Sequence, residues 1–274
     1  MMQLDKLDPR IRQIIMEYFT LINLYKPDLI EGFYIYGSIA LGDYSLVLSD
    51  IDFIAVSSDR LTNEDVAMLR EIHDKIRKTY PAPALEGIYV TWDDLGKLSE
   101  MEPYPYYHEG QMNASGLFEC NPVTWHELKT CGINVLGPAA NELHYELDWN
   151  QLIALMHQNL NTYWLGWITQ SSKLVSSKSL ALLFSIDAVE WGVLGITRLY
   201  YTLRMHQIAS KAQAGEYAIG IVPERWHLVL QESINHRRGI KKSLYRSVWR
   251  RRSDALGYMN YILNECRKLE DNRA

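Results

Sequence analysis

The segment from Phe33 to Val56 constrains this chain more than any other. Phe33-Tyr34-Ile35-Tyr36 is aromatic and β-branched, which predicts a strand. It ends at Gly37-Ser38. Eleven residues later Asp50-Ile51-Asp52 opens a second apolar run that reaches Val56. On a strand, residues i and i+2 face the same way, so Asp50 and Asp52 present two carboxylates side by side. Two such carboxylates repel unless a cation lies between them. Hard oxygen ligands suit Mg²⁺, which keeps several waters and shares substrate phosphates. Glycine at the end of the first strand lets backbone approach closely, and N–H groups at such a turn form an anion nest. Gly37 and the Ser38 hydroxyl are therefore candidates to hold the phosphates of a nucleotide that also touches the metal.

A third acid follows. Leu85 to Thr91 predicts a buried strand, and Glu86 inside it is out of place unless it pairs or serves a site. It is a candidate third metal-site acid, a general base that takes a proton from an attacking hydroxyl, or both.

Around these motifs the first half alternates between helix and strand. Asp8-Pro9 starts a helix that Lys26-Pro27 stops, and Thr62 with Asp65 caps a second helix ending before Pro81. Residues 92–136 predict loops mixed with short helices. Gly137-Pro138 and the polar stretch to Asp148 predict a domain boundary. We place the domains at residues 1–145 and 146–274, with helices in the second at about 149–170, 179–208, 224–236 and 241–269.

Composition narrows the classes. The 274 residues are 47% hydrophobic and 22% charged, ordinary for a folded soluble protein. A net charge of −5 disfavours nonspecific nucleic-acid binding. No apolar run approaches the roughly 20 residues of a membrane span, and the first six residues do not resemble a signal peptide. A cytoplasmic protein without a membrane partner is expected, with Cys120, Cys131 and Cys266 reduced. Cys120, His126 and Cys131 lack a close fourth ligand for zinc. Eight basic residues between Arg237 and Arg252 predict a solvated helix face, and Trp164 and Trp167, at helical spacing, predict core.

The motifs resemble the nucleotidyltransferase superfamily of the DNA polymerase β-type fold. They are most similar to the adenylyltransferases that modify streptomycin and spectinomycin. Tyr36-Gly37-Ser38, Ser49-Asp50-Ile51-Asp52 and Leu85-Glu86 match that pattern, as do the linker Val135 to Leu143, Thr197-Arg198-Leu199-Tyr200-Tyr201 and Ser210-Lys211. The resemblance implies an α+β fold: a polymerase β-like domain, with a mixed sheet and flanking helices, then an α-helical bundle that clamps nucleotide or substrate. It implies transfer of AMP from ATP to an aminoglycoside or aminocyclitol hydroxyl; a monomer is the default expectation, apart from the resemblance. Asp50 and Asp52 would be Mg²⁺ ligands, with two ions expected, and Glu86 the catalytic base. Ser38 and Ser49 would touch the nucleotide, with Arg198 and Lys211 on the triphosphate. Departing pyrophosphate needs such cationic stabilisation. The family's drug-binding aromatic position falls near Glu109-Gly110, and one of its aspartates falls near Ala188. His108, Glu109, Asp187 and Glu190 are accordingly the candidate acceptor contacts. A protein or RNA nucleotidyltransferase, or a non-catalytic nucleotide-binding protein, is the alternative.

Overall fold

Pro9 to Tyr25 forms the first helix, α1, and the reason is local. Asp8 accepts a hydrogen bond from the Arg10 N–H at 2.8 Å, and Pro9 sits where a missing N–H costs nothing. A second helix, Asn63–Thr79, starts on a reciprocal cap in which Thr62 and Asp65 each bond the other's backbone N–H. The computed structural model describes residues 7–45, 49–98, 101–173, 175–240 and 242–271. Its contacts divide the chain into two units, residues 1–147 and 148–274.

The first unit is a mixed sheet with helices on both faces. Its strands are β1 (Gly32–Ile35), β2 (Ile51–Ser57), β3 (Leu85–Thr91), β4 (Tyr104–His108), β5 (Gln111–Gly116) and β6 (Ile133–Leu136), in the order β5-β4-β3-β2-β1-β6. Only β2 and β3 pair in parallel; the other neighbours are antiparallel. The remaining helices of this unit are α2 (Gly37–Ala40) and α4 (Pro122–Cys131), with α3 the Asn63–Thr79 helix. Strand alternation sorts the core into two layers. Phe33, Phe53 and Tyr89 pack with Ile14 and Tyr18 of α1 and Leu69 and Ile72 of α3. Tyr34, Ile54 and Ile88 face the other way, onto Trp125 and Leu128 of α4.

Residues 92–136 correct the expectation of loops and short helices. Two strands form a hairpin there and a third, β6, closes the sheet edge. Pro105 and the run of tyrosines obscure the alternation. The turn signal was Glu109-Gly110, whose φ angles of +49° and +74° suit a two-residue hairpin turn.

A polar chain crosses the core beneath the sheet. His73 Nε2 lies 2.7 Å from Tyr89 Oη, which lies 2.6 Å from Tyr18 Oη, and the imidazole stacks on Tyr107 at 3.9 Å. Burial pushes the His73 pKa down to about 3. An unfolded chain binds a proton at this residue below about pH 6.5 and the folded one does not. Stability is therefore lost as pH falls from about 6.5 toward 3, by about 1.4 kcal/mol per unit. In urea titrations at pH 7.5 and 5.0, wild type should lose about 2 kcal/mol more than His73→Gln, which lacks the titrating group. Equal losses would contradict a neutral buried imidazole.

The second unit is helical: α5 (Trp149–Asn159), α6 (Leu165–Ser172), α7 (Ser177–Phe184), α8 (Ile186–Met205), α9 (Lys211–Ile219), α10 (His227–Arg237) and α11 (Val248–Asp271). Four expectations are corrected, the first being that the last helix starts at Val248 and not at about residue 241. The 149–170 helix contains a π-helical turn at Leu160–Trp164. The 179–208 helix is two helices bent by 104°, because Ser185 leaves the helical conformation and caps α8 through the Ala188 N–H. Helix α9 went unread, although Ser210 and Gln213 cap it reciprocally. Trp164 and Trp167 are buried and gather with Trp191. Among the described residues no single helix is long and apolar enough to cross a membrane.

The basic stretch is only partly a solvated face. Arg250 is exposed, and Lys241 lies outside the described residues. Arg251 turns inward to the Leu183 carbonyl, and Arg252 donates to Ser179 Oγ and the Ser171 carbonyl. Two of its arginines thus join α11 to the ends of neighbouring helices.

Candidate active site

The site in the first unit is built on strand pairing. The Tyr36 N–H extends the β1–β2 pairing by donating to the Asp52 carbonyl at 3.0 Å. The chain then turns at Gly37, where φ is +64°, into the single turn of α2. A Cβ at Gly37 would lie 2.2 Å from Asp52 Oδ2, so only glycine lets the backbone pass this carboxylate. Ser38 follows, half-buried, and its carbonyl accepts from the Asp43 N–H at 2.9 Å. The loop closes on Ser49, which is buried and exchanges hydrogen bonds with the Ser45 backbone at 2.9 and 3.1 Å. Loop residues 46–48 lie outside the described residues.

Parallel pairing brings the acids together. Asp52 of β2 and Glu86 of β3 are register partners, so their side chains leave the same face of adjacent strands. Asp50, two residues before Asp52, is exposed. The Asp52 pKa is held well above the usual carboxylate range, chiefly by burial and then by the charges of Asp50, Glu119, Glu127 and Glu86. The Tyr36 hydroxyl is raised as well, first by burial and then by Glu119, Asp52 and Glu127. Glu119 and Glu127 were not read as site residues. They come from the loop after β5 and from α4, and no sequence motif links them to Asp52. Glu119 accepts from Thr124 Oγ1 at 2.9 Å and Asn121 Nδ2 at 3.2 Å.

Glu86 differs from the aspartates. Its Oε2 lies 2.6 Å from His108 Nδ1, and its Oε1 accepts from the Glu109 N–H at 2.8 Å. His108 in turn stacks on Phe118 at 4.4 Å. His108 and Glu109, expected as acceptor contacts, therefore also hold the third acid. The Glu109 side chain itself is 83% exposed.

Mg²⁺ fits this donor set. Burial and like charge both oppose ionisation of Asp52, and a divalent cation beside it would relieve the repulsion. Among the described residues no three His, Cys, Asp or Glu side chains stand grouped as a ready-made cage. Mg²⁺ does not need one, because it takes one or two carboxylates and fills its octahedron with water and phosphate oxygens.

The second unit groups the other candidates. Lys211, first residue of α9, lies 3.5 Å from Glu190 of α8. Burial lowers the Lys211 pKa; Glu190 opposes this, while Arg237 and Arg198 add to it. Arg198, Lys211 and Arg237 thus share one neighbourhood with Glu190, and Arg237 is a cation that the motif reading missed. Asp187, three residues before Glu190 on α8, lies 2.7 Å from His236 Nε2, and this bond is the main reason its pKa is lowered. Its side chain remains 74% exposed.

Residues 176–265 match the family described as the aminoglycoside adenylyltransferase C-terminal domain. No curated protein matches the chain in sequence. Among solved structures, the chain is similar in fold to a spectinomycin adenyltransferase, AAD(9), from Enterococcus faecialis, crystallised with ATP and spectinomycin. The two share 15% identity with a TM-score of 0.63, over 93% of this chain and 98% of that one.

Proposed function

We propose that this chain is a nucleotidyltransferase of the aminoglycoside adenylyltransferase family and transfers AMP from ATP to a hydroxyl of an aminoglycoside or aminocyclitol. One observation carries the reading: Asp52 and Glu86 are paired across parallel strands, with Gly37 against Asp52 and Asp50 beside it. That arrangement puts two metal-type carboxylates and a base on one surface.

Asp50 and Asp52 would hold Mg²⁺, which when bound polarises and neutralises the phosphates. Ser38 and Ser49 orient the nucleotide. Glu86 takes the proton of the acceptor hydroxyl as its oxygen bonds to the α-phosphorus. The bond from that phosphorus to the oxygen bridging to the β-phosphorus breaks, and pyrophosphate leaves with the electron pair. By the resemblance, Arg198 and Lys211 would supply the charge that departing pyrophosphate requires. Of the candidate acceptor contacts, Glu109 and Asp187 keep largely exposed carboxylates suited to a cationic drug, whereas His108 and Glu190 are engaged by Glu86 and Lys211.

The test is pyrophosphate release from Mg-ATP against a panel of aminoglycosides and aminocyclitols, spectinomycin included, with mass spectrometry of the products. A product heavier by one AMP is expected. Asp50→Asn should weaken ATP binding in the presence of Mg²⁺ and change it little without the metal. ATP binding with no modified product across the panel would overturn the assigned acceptor class. Failure to bind ATP would overturn the reading of the Gly-Ser and Asp-x-Asp segment.

A further inference from the structure

The tip of the β4–β5 hairpin grips Glu86 from both sides. Its residues are His108, Glu109, Gly110 and Gln111, with His108 and Gln111 paired across the turn. Positive φ at Glu109 and Gly110 makes the turn tight. The Glu109 N–H donates to Glu86 Oε1 at 2.8 Å, and His108 Nδ1 meets Oε2 at 2.6 Å. The imidazole is itself held, since it stacks on Phe118 at 4.4 Å and Phe118 stacks on Tyr106 at 5.0 Å. A glutamate on a strand has three rotatable side-chain bonds, and two fixed donors on opposite oxygens remove most of that freedom. The backbone donor alone would still allow rotation about that one bond.

We propose that His108 is a positioning residue for the reaction: its ring fixes the carboxylate plane of Glu86 so that one lone pair faces the acceptor hydroxyl. This rests on the reading of Glu86 as the base. The hairpin is then part of the catalytic apparatus and not only a sheet edge. Its turn contributes a backbone donor, its last strand residue contributes a side-chain donor, and Phe118 beyond β5 orients that side chain.

Three variants separate the donor from the ring. His108→Phe keeps an aromatic ring against Phe118 and removes the donor. His108→Asn keeps a donor nitrogen near the Nδ1 position and removes the ring. His108→Ala removes both. Turnover should fall about 10- to 100-fold in His108→Phe and His108→Ala, the size expected when a catalytic group is misplaced by about 1 Å. The KM for ATP should stay within about twofold, and His108→Asn should recover most of the turnover. A purely structural role would lower the fraction of folded enzyme without this split between kcat and KM, and Asn would not rescue it. Crystal structures of wild type and His108→Phe give a readout independent of activity: the Glu86 carboxylate should leave its place or lose order in the variant. If it keeps its position, or if wild type is active and His108→Phe turns over at the wild-type rate, the proposal is wrong. Loss of AMP transfer in wild type itself would instead count against the function proposed above, and the crystallographic comparison would still decide the role of His108.

Discussion

Glu86→Gln is expected to lower AMP transfer by about 10²–10⁴-fold, the contribution of a positioned general base. ATP binding in the presence of Mg²⁺ should persist, because Asp50 and Asp52 are untouched. Glutamine has nearly the shape of glutamate but a single acceptor oxygen, so it can accept from the Glu109 N–H or from His108, not from both. Part of the loss could therefore come from orientation. His108→Phe controls for this, since it disturbs orientation while leaving the base in place. If Glu86 is the base, Glu86→Gln should be the slower of the two. Stopped reactions counted for pyrophosphate at saturating ATP make the comparison. Equal turnover in Glu86→Gln and wild type would remove Glu86 from the mechanism.

Arg251→Met is expected to cost about 3–5 kcal/mol of stability, the loss usual when one partner of a buried ion pair is removed. Arg251 Nη1 lies 3.7 Å from Glu232 Oε1, and their side chains are 10% and 3% exposed. Arg251 also donates to the Leu183 carbonyl at 3.2 Å, near the end of α7. Without the guanidinium, Glu232 would keep the Ser243 hydroxyl at 2.8 Å but lose its buried ion-pair partner. Its charge would then be stranded in the helical unit. The double variant Arg251→Met with Glu232→Leu removes both charges and should regain much of the loss. Urea unfolding of the three proteins gives the coupling between the residues. A loss below about 1 kcal/mol for Arg251→Met would mean that the pair is effectively solvated.

Local signals were readable wherever a side chain meets its own backbone. The caps at Asp8 and Thr62 stand where the sequence places them, and both helices end where proline or a capping residue stops them. Ser185 and Ser210 carry the same kind of signal. At Ser185 apolar residues continue with helical spacing on either side, which predicts one helix; the helix that Ser210 caps went unread. At Ser185 the chain caps a new helix instead of extending the old one. The hairpin of β4 and β5 was missed for a related reason: Tyr104 to His108 is buried on both faces for much of its length, so polar residues do not mark alternate positions.

The acids show where sequence stops and tertiary structure begins. The two-residue period of a strand predicts Asp50 and Asp52 on one face, although the strand itself begins at Ile51, and that Gly37 precedes them at a turn follows from the local pattern. The neighbours of Asp52 do not follow from it. Glu86 reaches Asp52 only because β2 and β3 pair in parallel in one register; a shift by one residue would send it to the opposite face. Glu119 and Glu127 approach only because α4 packs over that sheet face. His108 reaches Glu86 only because a two-residue turn folds β5 back on β4 beside β3. The sequence by itself determined the chemical types, the local turns and which residues face together on a strand, since these depend on neighbours a few bonds away. The identity of each acid's partners was decided by strand order, register and helix packing, which are set by burying both faces of the sheet at once.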